Sequence, residues 1–334
     1  MDYETLNQRR AARAAERRRR ARRRRGAALG ALAAVIVIVL VAVALASSSG
    51  QPGHRAGSGA RAAARSGHRN RRSRRSAANP ARDGSPAALG AATGHPGRAH
   101  VPILMYHVIA PPPAGAPFPG LYVPPAEFAA QMQALHRAGW HPVTLDQLRF
   151  YWQHGARLPG KPIVITFDNG YFSQYSQALP ILRRMHWVAV ENIQLAGLPP
   201  SQGGLTPPQV RAMIDAGWEL DTQGISHADL IALDASELHY QVDTARRMLR
   251  RRYHVPVNWF CYPSGHYDAT VIAAVRAAGF VGSTTVIPGW AAPSGDPYRL
   301  PRLRVLRGTS PGALLAQIAA EEGSSSAPPS YGGA

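Results

Sequence analysis

Residues 101–320 are predicted to fold as a parallel α/β domain, and three observations support this. Short apolar segments alternate with segments of helical periodicity over about 220 residues. This region is nearly neutral, with 17 basic against 15 acidic residues after position 100, whereas residues 1–100 carry 21 Arg against four acidic residues. Asp168 directly follows an apolar segment, at the kind of strand end where barrel enzymes place catalytic groups. Periodicity alone leaves open whether the sheet is a closed barrel or an open, doubly wound sheet.

Seven segments have the apolar pattern of buried strands, and seven have helical spacing or capping signals. The predicted strands are 101–109, 161–167, 187–195, 219–223, 257–262, 282–286 and 303–306. The predicted helices are 128–138, 145–153, 175–185, 207–216, 238–249, 269–278 and 311–318. Gly139 and Gly217 each end a helix, and a capping box at Thr206 begins one.

The N-terminal part predicts a membrane anchor. Residues 1–26 form an Arg-rich segment, expected to be cytoplasmic, and residues 27–46 are 20 uncharged apolar or small residues. As a helix this run would span about 30 Å, the thickness of a hydrocarbon core. A cleaved signal peptide is the alternative, because Ala44-Leu45-Ala46 fits a small-x-small cleavage site. The length of the apolar run favours an uncleaved single span with the C-terminal domain outside the cell membrane.

Two further segments are predicted to be disordered, a linker over 47–100 and a tail over 321–334. The linker is rich in Gly, Ser, Ala, Pro and Arg and has almost no large apolar residues to bury. Its Arg residues either attach it to anionic wall polymers or are simply solvated. Because most of the positive charge lies outside the α/β region, a specific nucleic-acid partner is not expected.

Four segments, in order, resemble the motifs of the polysaccharide deacetylases, the NodB-homology family of carbohydrate esterases. They are 103–109, then Thr166-Phe-Asp-Asn-Gly170, then 221–230 with Gln223-Gly-Ile-Ser-His227, and finally 260–268. The resemblance covers about residues 101–320. It implies a distorted or incomplete (β/α) barrel of the NodB-homology type.

The resemblance also implies a chemistry and its residues. Family members hydrolyse acetamide or acetyl ester groups with a divalent metal such as zinc, which activates water and polarises the carbonyl. Asp168 matches the family's base. The metal-ligand positions are occupied by Asn169, Gln223 and His227, so only the histidine keeps its ligand type. Asn and Gln supply neither negative charge nor an imidazole nitrogen, and the sequence therefore predicts weak metal binding.

Other residues are candidate replacements for the lost groups. His107, at the end of the first strand, is a candidate acid, since no histidine follows His266 to match the family's late acid histidine. His107, Asp221 and His266 are each candidate metal ligands, although ordinary hydrogen bonding is the better explanation for each of them. Substrate binding is assigned to Tyr262 and Pro263 in the third motif, and Tyr122 and Trp290 are further candidates for stacking on a sugar. Cys261, the only cysteine, is predicted to be a small core residue.

Three functions follow from these observations. The first is a membrane-anchored extracytoplasmic deacetylase homologue directed at N-acetylated cell-wall or surface polysaccharide. The second is a pseudoenzyme that binds glycan or a partner protein without hydrolysis, for which no metal is needed. The third, in which the Arg-rich arms bind anionic lipid or polymer, is least favoured because most of the chain forms a fold with a cleft.

Overall fold

The structure is a computed structural model that describes residues 92, 94–196, 198, 203–323 and 326–333. These residues belong to one compact unit, Arg75–Ala334. The predicted cytoplasmic segment 1–26, the predicted anchor 27–46 and most of the predicted linker 47–100 lie outside the described residues. Among the residues that are described, no helix is long and apolar enough to cross a membrane.

The described residues contain one sheet of nine strands. The strands are β1 (Val101–Tyr106), β2 (His141–Pro142), β3 (Pro162–Asn169), β4 (Val190–Ile193), β5 (Glu219–Thr222), β6 (Trp259–Cys261), β7 (Gly282–Thr284), β8 (Trp290–Ala291) and β9 (Leu303–Arg304). The main order is β7-β6-β5-β4-β3-β1-β8, with β2 beside β3 and β9 beside β1. All pairs are parallel except β1 with β8.

The sheet curls far enough that its two ends approach each other. β9 pairs with β1, and Leu300, just before β9, forms a parallel bridge with Thr284 at the end of β7. Two backbone hydrogen bonds support this contact, from Leu300 N to Ser283 O at 3.0 Å and from Thr285 N to Leu300 O at 2.9 Å. This arrangement is a distorted (β/α) barrel, and it decides between the two sheet topologies that the sequence left open.

Helices follow most of the strands, as in other parallel α/β folds. The α-helices are α1 (Pro125–Arg137), α2 (Leu145–His154), α3 (Leu179–Arg184), α4 (Pro207–Asp215), α5 (Ala235–His239), α6 (Ala245–Tyr253), α7 (Ala269–Ala277) and α8 (Pro311–Ala320). A π-helical turn, Gln174–Ala178, leads into α3, and another, Tyr240–Thr244, joins α5 to α6. The capping box predicted at Thr206 begins α4, with Pro207 at the first helical position.

The seven predicted strands and seven predicted helices are confirmed in type and order. The single helix predicted over 238–249 is the run α5, π turn and α6. Two strands were missed, β2 and β8. Each is two residues long, too short to show a periodicity.

Alternation along β1 separates two apolar layers. Leu104 and Tyr106 face the helices, together with Phe128 of α1, whereas Val101 and Ile103 belong to a cluster on the opposite face. That cluster also contains residues of β3, β4, β6 and the first turn of α2, namely Val164, Val190, Trp259, Leu145 and Leu148. It fills the end of the barrel where the strands begin, which we call the floor. The end where the strands finish is the mouth.

The C-terminal segment differs from the disordered tail predicted over 321–334. Tyr331 and Tyr267 exchange two backbone hydrogen bonds, each 2.8 Å long, and the Tyr267 hydroxyl donates to Pro328 O at 2.7 Å. Arg299 Nη1 donates to Ala327 O. Low apolar content predicted disorder, but backbone pairing to an existing loop needs little apolar surface.

Candidate active site

The mouth brings together most of the polar residues that the sequence singled out. Asp168 and Asn169 end β3, Gln223 directly follows β5, and His107 directly follows β1. The pairing of Tyr106 with Phe167 extends to place His107 beside Asp168. Because parallel strands finish at the same edge, residues distant in sequence meet there.

Asp168 is held by a buried arginine that the sequence analysis missed. Arg302 Nη1 donates to Asp168 Oδ1 at 2.8 Å, and Nη2 donates to Oδ2 at 2.9 Å. Asn192 Nδ2 adds a 2.9 Å hydrogen bond to Oδ1. Side-chain exposure is 0% for Arg302 and 2% for Asp168, so this bidentate ion pair lies entirely inside the barrel.

The ion pair determines the charge state of Asp168. Burial alone would raise the pKa of this carboxyl group, but the charge and hydrogen bonds of Arg302 outweigh burial and lower the pKa to about 2. Asp168 is therefore an anion at neutral pH, and both of its oxygens already accept hydrogen bonds. Such a carboxylate is firmly positioned but weakly basic.

His107 lies beside this pair, with Nε2 3.9 Å from Asp168 Oδ2. Burial lowers the pKa of His107 to about 4, despite the opposing effect of Asp168. The ring is therefore neutral at pH 7. A neutral imidazole can accept a proton or donate a hydrogen bond, but it holds no extra proton to deliver, so the acid role assigned to His107 stays a prediction.

The metal-ligand positions do not form a set of donors suited to zinc. Asn169 lies at the mouth with φ of 81°, and Gln223 is 2% exposed, with no hydrogen-bond partner for Oε1 among the residues that the structure describes. His227 is partly exposed, with φ of 52°. Within the described residues, no group of three His, Cys, Asp or Glu side chains could hold a metal ion. The residues present therefore do not fit the divalent metal that the family resemblance implies.

The candidate replacements are engaged elsewhere. Asp221 Oδ1 accepts hydrogen bonds from the backbone N–H groups of Asn258 and Trp259, which lie at the floor. His266 Nδ1 lies 3.1 Å from Asp229 Oδ1. Neither side chain joins Asn169, Gln223 and His227 at one point.

Two further glutamines fix the mouth, and each lies in a π-helical turn. Gln174 Nε2 donates to the backbone carbonyls of His107 and Asp168, both at 2.8 Å, and so ties the ends of β1 and β3 together. Gln241 Oε1 accepts from Ile225 N and Ser226 N, which holds the loop that carries His227. π turns are frequent at functional sites. The sequence signal that could have identified these two residues is a glutamine at a position that the amphipathic pattern of the helical segment predicts to be buried.

The aromatic candidates do not present open ring faces. Tyr262 is 1% exposed, stacks on Tyr267 and donates its hydroxyl to Tyr298 O, and Pro263 is also buried. Tyr122 is 6% exposed. Trp290 is 7% exposed and lies in β8, opposite Pro102 at the floor end of β1, and its stacking on a sugar stays a prediction.

Cys261 is a buried residue, as predicted. Its Sγ lies 3.2 Å from Arg302 Nη2 and 3.5 Å from Asp168 Oδ2. Burial raises the pKa of the thiol to about 12, so no thiolate nucleophile is present at neutral pH.

This fold and this set of residues define a carbohydrate-deacetylase-type barrel whose metal-ligand positions are altered. A family model for polysaccharide deacetylase matches residues 155–283. The putative polysaccharide deacetylase YxkH of Bacillus subtilis is 28% identical over 220 residues, which cover 66% of this chain and 76% of that protein. Residues 155–283 thus match the polysaccharide deacetylase family, as the sequence motifs imply, and the Bacillus subtilis relative extends the similarity over 220 residues.

Solved structures agree with this assignment. A putative polysaccharide deacetylase from Bacillus anthracis has a TM-score of 0.60 and 25% identity, over 66% of this chain and 69% of that one. The Streptococcus pyogenes deacetylase PplD, solved with acetate, shares the fold with a TM-score of 0.61 at 24% identity, over 66% of this chain and 99% of that one. The poly-β-1,6-N-acetyl-D-glucosamine N-deacetylase of Escherichia coli is 42% identical over 60 residues, only 18% of this chain and 9% of that protein.

Proposed function

We propose that the domain binds N-acetylated cell-surface glycan at the mouth of its barrel without metal-dependent hydrolysis. The observation that carries this proposal is the donor set at the metal-ligand positions, where two neutral amides accompany one histidine. Amide oxygens bind transition metals weakly compared with carboxylate and imidazole donors. A water molecule there would keep its high pKa, since no metal would lower it.

The glycan class is inferred from the family. The Escherichia coli relative, 42% identical over 60 residues, is named for deacetylating poly-β-1,6-N-acetyl-D-glucosamine. The polar, partly exposed mouth offers hydrogen-bonding groups, whereas the buried Tyr262 offers no stacking face. Recognition of the glycan would therefore depend on hydrogen bonds.

Hydrolysis of acetamide or acetyl ester groups is the second candidate, and one observation favours it. Asp168 matches the family's base and is ionised and held rigidly by Arg302. Taking both charges out of water carries a desolvation penalty. The lowered pKa of Asp168 makes it a weakly basic carboxylate. A metal such as zinc, held with the help of a group from the glycan, would be needed to complete this chemistry.

The test uses the purified full-length chain. After dialysis against a chelator, metal content, acetate release from N-acetylglucosamine oligomers and binding of the same oligomers are measured. We expect less than stoichiometric metal, no acetate release and saturable binding that zinc does not change. Retained stoichiometric metal together with acetate release would support hydrolysis instead, and absence of both binding and hydrolysis would refute both candidates.

We further propose that residues 27–46 anchor the chain in the cell membrane, with residues 1–26 in the cytoplasm. Support comes from the length of the uncharged run and the Arg cluster before it. Protease added to intact cells should remove the glycan-binding domain and leave the anchor with the membrane. Recovery of full-length chain in the soluble cytoplasmic fraction would refute this topology.

A further inference from the structure

Four buried carboxamide oxygens at the mouth have no hydrogen-bond partner among the described residues, and besides Oε1 of Gln174, three of them lie in or directly after β4 and β5. These three are Oδ1 of Asn192, Oε1 of Gln194 and Oε1 of Gln223. The three residues are 1%, 7% and 2% exposed. An unpaired buried acceptor destabilises a fold, and such groups are rare in native proteins. Three of them near one another therefore call for an explanation.

Strand register brings the two glutamines side by side. β4 and β5 pair Asn192 with Asp221 and Ile193 with Thr222. The hydrogen bond from Gln223 N to Ile193 O, 2.9 Å long, extends this pairing by one residue. Gln194 therefore neighbours Gln223 in the next step of the parallel ladder.

Alternation along β4 gives the direction of these side chains. Asn192 faces the barrel interior, because its Nδ2 reaches Asp168. Side chains two residues apart share a face of a strand, so Gln194 also faces the interior, one step closer to the mouth. By the same alternation, Gln223 shares the face of Asp221 on β5. The carboxamides thus lie next to the Asp168–Arg302 ion pair on its mouth side.

The charges around them indicate what they would bind. Asp168 and Arg302 neutralise each other, and the positive charge of Arg302 opposes the binding of a metal ion. Carboxamide oxygens accept hydrogen bonds, so their complement is a neutral group that is rich in O–H or N–H donors.

We infer that Gln194 and Gln223, assisted by Asn192, form a carboxamide pair that accepts hydrogen bonds from hydroxyl and acetamido N–H groups of a neutral sugar unit. This inference rests on the proposed glycan binding. It assigns Gln223, at a former metal-ligand position, and Gln194, at a position that the family motifs do not include, to ligand recognition. The pair replaces coordination through a metal with direct hydrogen bonding.

The experiment measures glycan affinity and thermal stability of the full-length chain. The variants are Gln194→Leu, Gln223→Leu and the double variant, and exposed Gln153→Leu serves as the matched control. N-acetylglucosamine oligomers are the probe. We expect the double variant to bind at least about tenfold more weakly, because two ligand donors lose their acceptors. We also expect its Tm to rise by a few degrees, because two unpaired buried acceptors are removed.

The two readouts separate failure of this inference from failure of the proposed function. If the wild type binds glycan and the double variant binds equally well, the carboxamide pair has no role and the function stands. If the wild type binds no glycan, the proposed function fails. In that case a higher Tm in the double variant would still support a pair of carboxamides that lack a structural partner. A lower Tm would show that the two amides have structural partners and would overturn the inference.

Discussion

Asp168 at the mouth and Asp221 near the floor are equally buried, at 1% and 0% exposure, yet their pKa values move in opposite directions. The pKa of Asp168 falls to about 2, and that of Asp221 rises to about 7. Burial raises both. The difference shows that the partner of a buried carboxyl group decides its charge, because burial alone favours the neutral form at either end of the barrel.

At the floor the partners are other carboxyl groups. Asp221 shares a hydrogen bond with Glu219, and Asp146 lies close enough to raise the pKa of both. Asp146 also accepts hydrogen bonds from Asn258 Nδ2 at 2.7 Å and from Trp259 Nε1 at 3.1 Å. A retained proton lets Asp221 and Glu219 share a hydrogen bond, whereas Asp146 is paired with a cation, since its Oδ1 lies 3.9 Å from Arg149 Nε.

At the mouth the partner is a cation. A buried ion pair is weak evidence for stability, because replacing both partners by apolar residues is often neutral or stabilising. Its retention beside altered metal-ligand positions therefore favours a functional reason. The floor is a structural cluster, and the mouth is a site that still presents a fixed charge pair.

The largest expected effect is that of Arg302→Met. It leaves Asp168 buried and unpaired, and should lower the free energy of unfolding by about 3–5 kcal/mol. Urea unfolding at pH 7 measures the change. The double variant Arg302→Met, Asp168→Leu should regain most of the loss, since it removes both charges. If the single variant were as stable as the wild type, the ion pair would not be the dominant partner of Asp168.

The ion pair also shows what the sequence could and could not predict. The strand pattern before Asp168 and the motif around it located one half of the pair. Arg302 lies 134 residues away, and its approach depends on the contact between β7 and the segment before β9. That closure is a tertiary feature, so a lone Arg between Leu300 and Leu303 gave only a weak signal.

The burial of the aromatic candidates was not predictable for a related reason. The sequence placed Tyr262 at a strand end and Trp290 near a turn, but periodicity shows neither the ring that packs on Tyr262 nor the strand that Trp290 pairs with. The glutamines of the π turns were missed because helical periodicity identifies apolar positions and gives no specific signal for a π turn.

The second prediction would restore the ancestral chemistry of the mouth. Asn169→Asp with Gln223→His recreates an acid and two histidines with His227. We expect the double variant to bind Zn²⁺ about 100-fold more tightly than the wild type, and each single variant to gain little, because coordination needs all three donors. Titration of the four proteins with Zn²⁺ measures this.

If the gains in Zn²⁺ affinity are negligible and simply add in the double variant, these side chains do not converge on one point. The alignment of the metal-ligand positions would then be wrong. Acetate release is not the readout, because a poor acid group could keep a metal-loaded variant inactive. Gln153→Asp provides a control for nonspecific metal binding by an added surface carboxylate.

The third prediction uses pH to separate floor from mouth. The pKa of Asp221 is about 7 in the fold against an ordinary 3.8, so the folded state binds the proton more tightly than the unfolded state. The stabilisation that this proton contributes to the fold is fully present below about pH 4 and is lost as pH rises towards 7. Asp168 has the opposite sign, because its lowered pKa stabilises the fold above pH 3.8 and this contribution is lost as pH falls towards 2.

Asp221→Asn should therefore change stability in a pH-dependent way. Asn keeps the oxygen that accepts from Asn258 N and Trp259 N but cannot ionise. Relative to the wild type, the free energy of unfolding of the variant should rise by roughly 1–2 kcal/mol between pH 4 and pH 8. This value allows for the proton that Asp221 shares with Glu219. Urea unfolding across that range measures the gain, with exposed Asp215→Asn as control. A constant difference at all pH values would show that Asp221 does not titrate there.

The smallest expected effect concerns the C-terminal segment, which packs on the loop after β6 at the rim of the mouth. Ending the chain at Gly323 removes the two backbone hydrogen bonds between Tyr331 and Tyr267 and should cost about 1–2 kcal/mol of stability. Tyr267→Phe keeps the segment but loses the hydrogen bond to Pro328 O, and should cost about 0.5–1.5 kcal/mol. Hydrogen exchange of the Tyr267 amide distinguishes the two, because only truncation frees that N–H. If truncation leaves both stability and exchange unchanged, the segment does not contribute to the rim, and the mouth is held by Arg302, Gln174 and Gln241 alone.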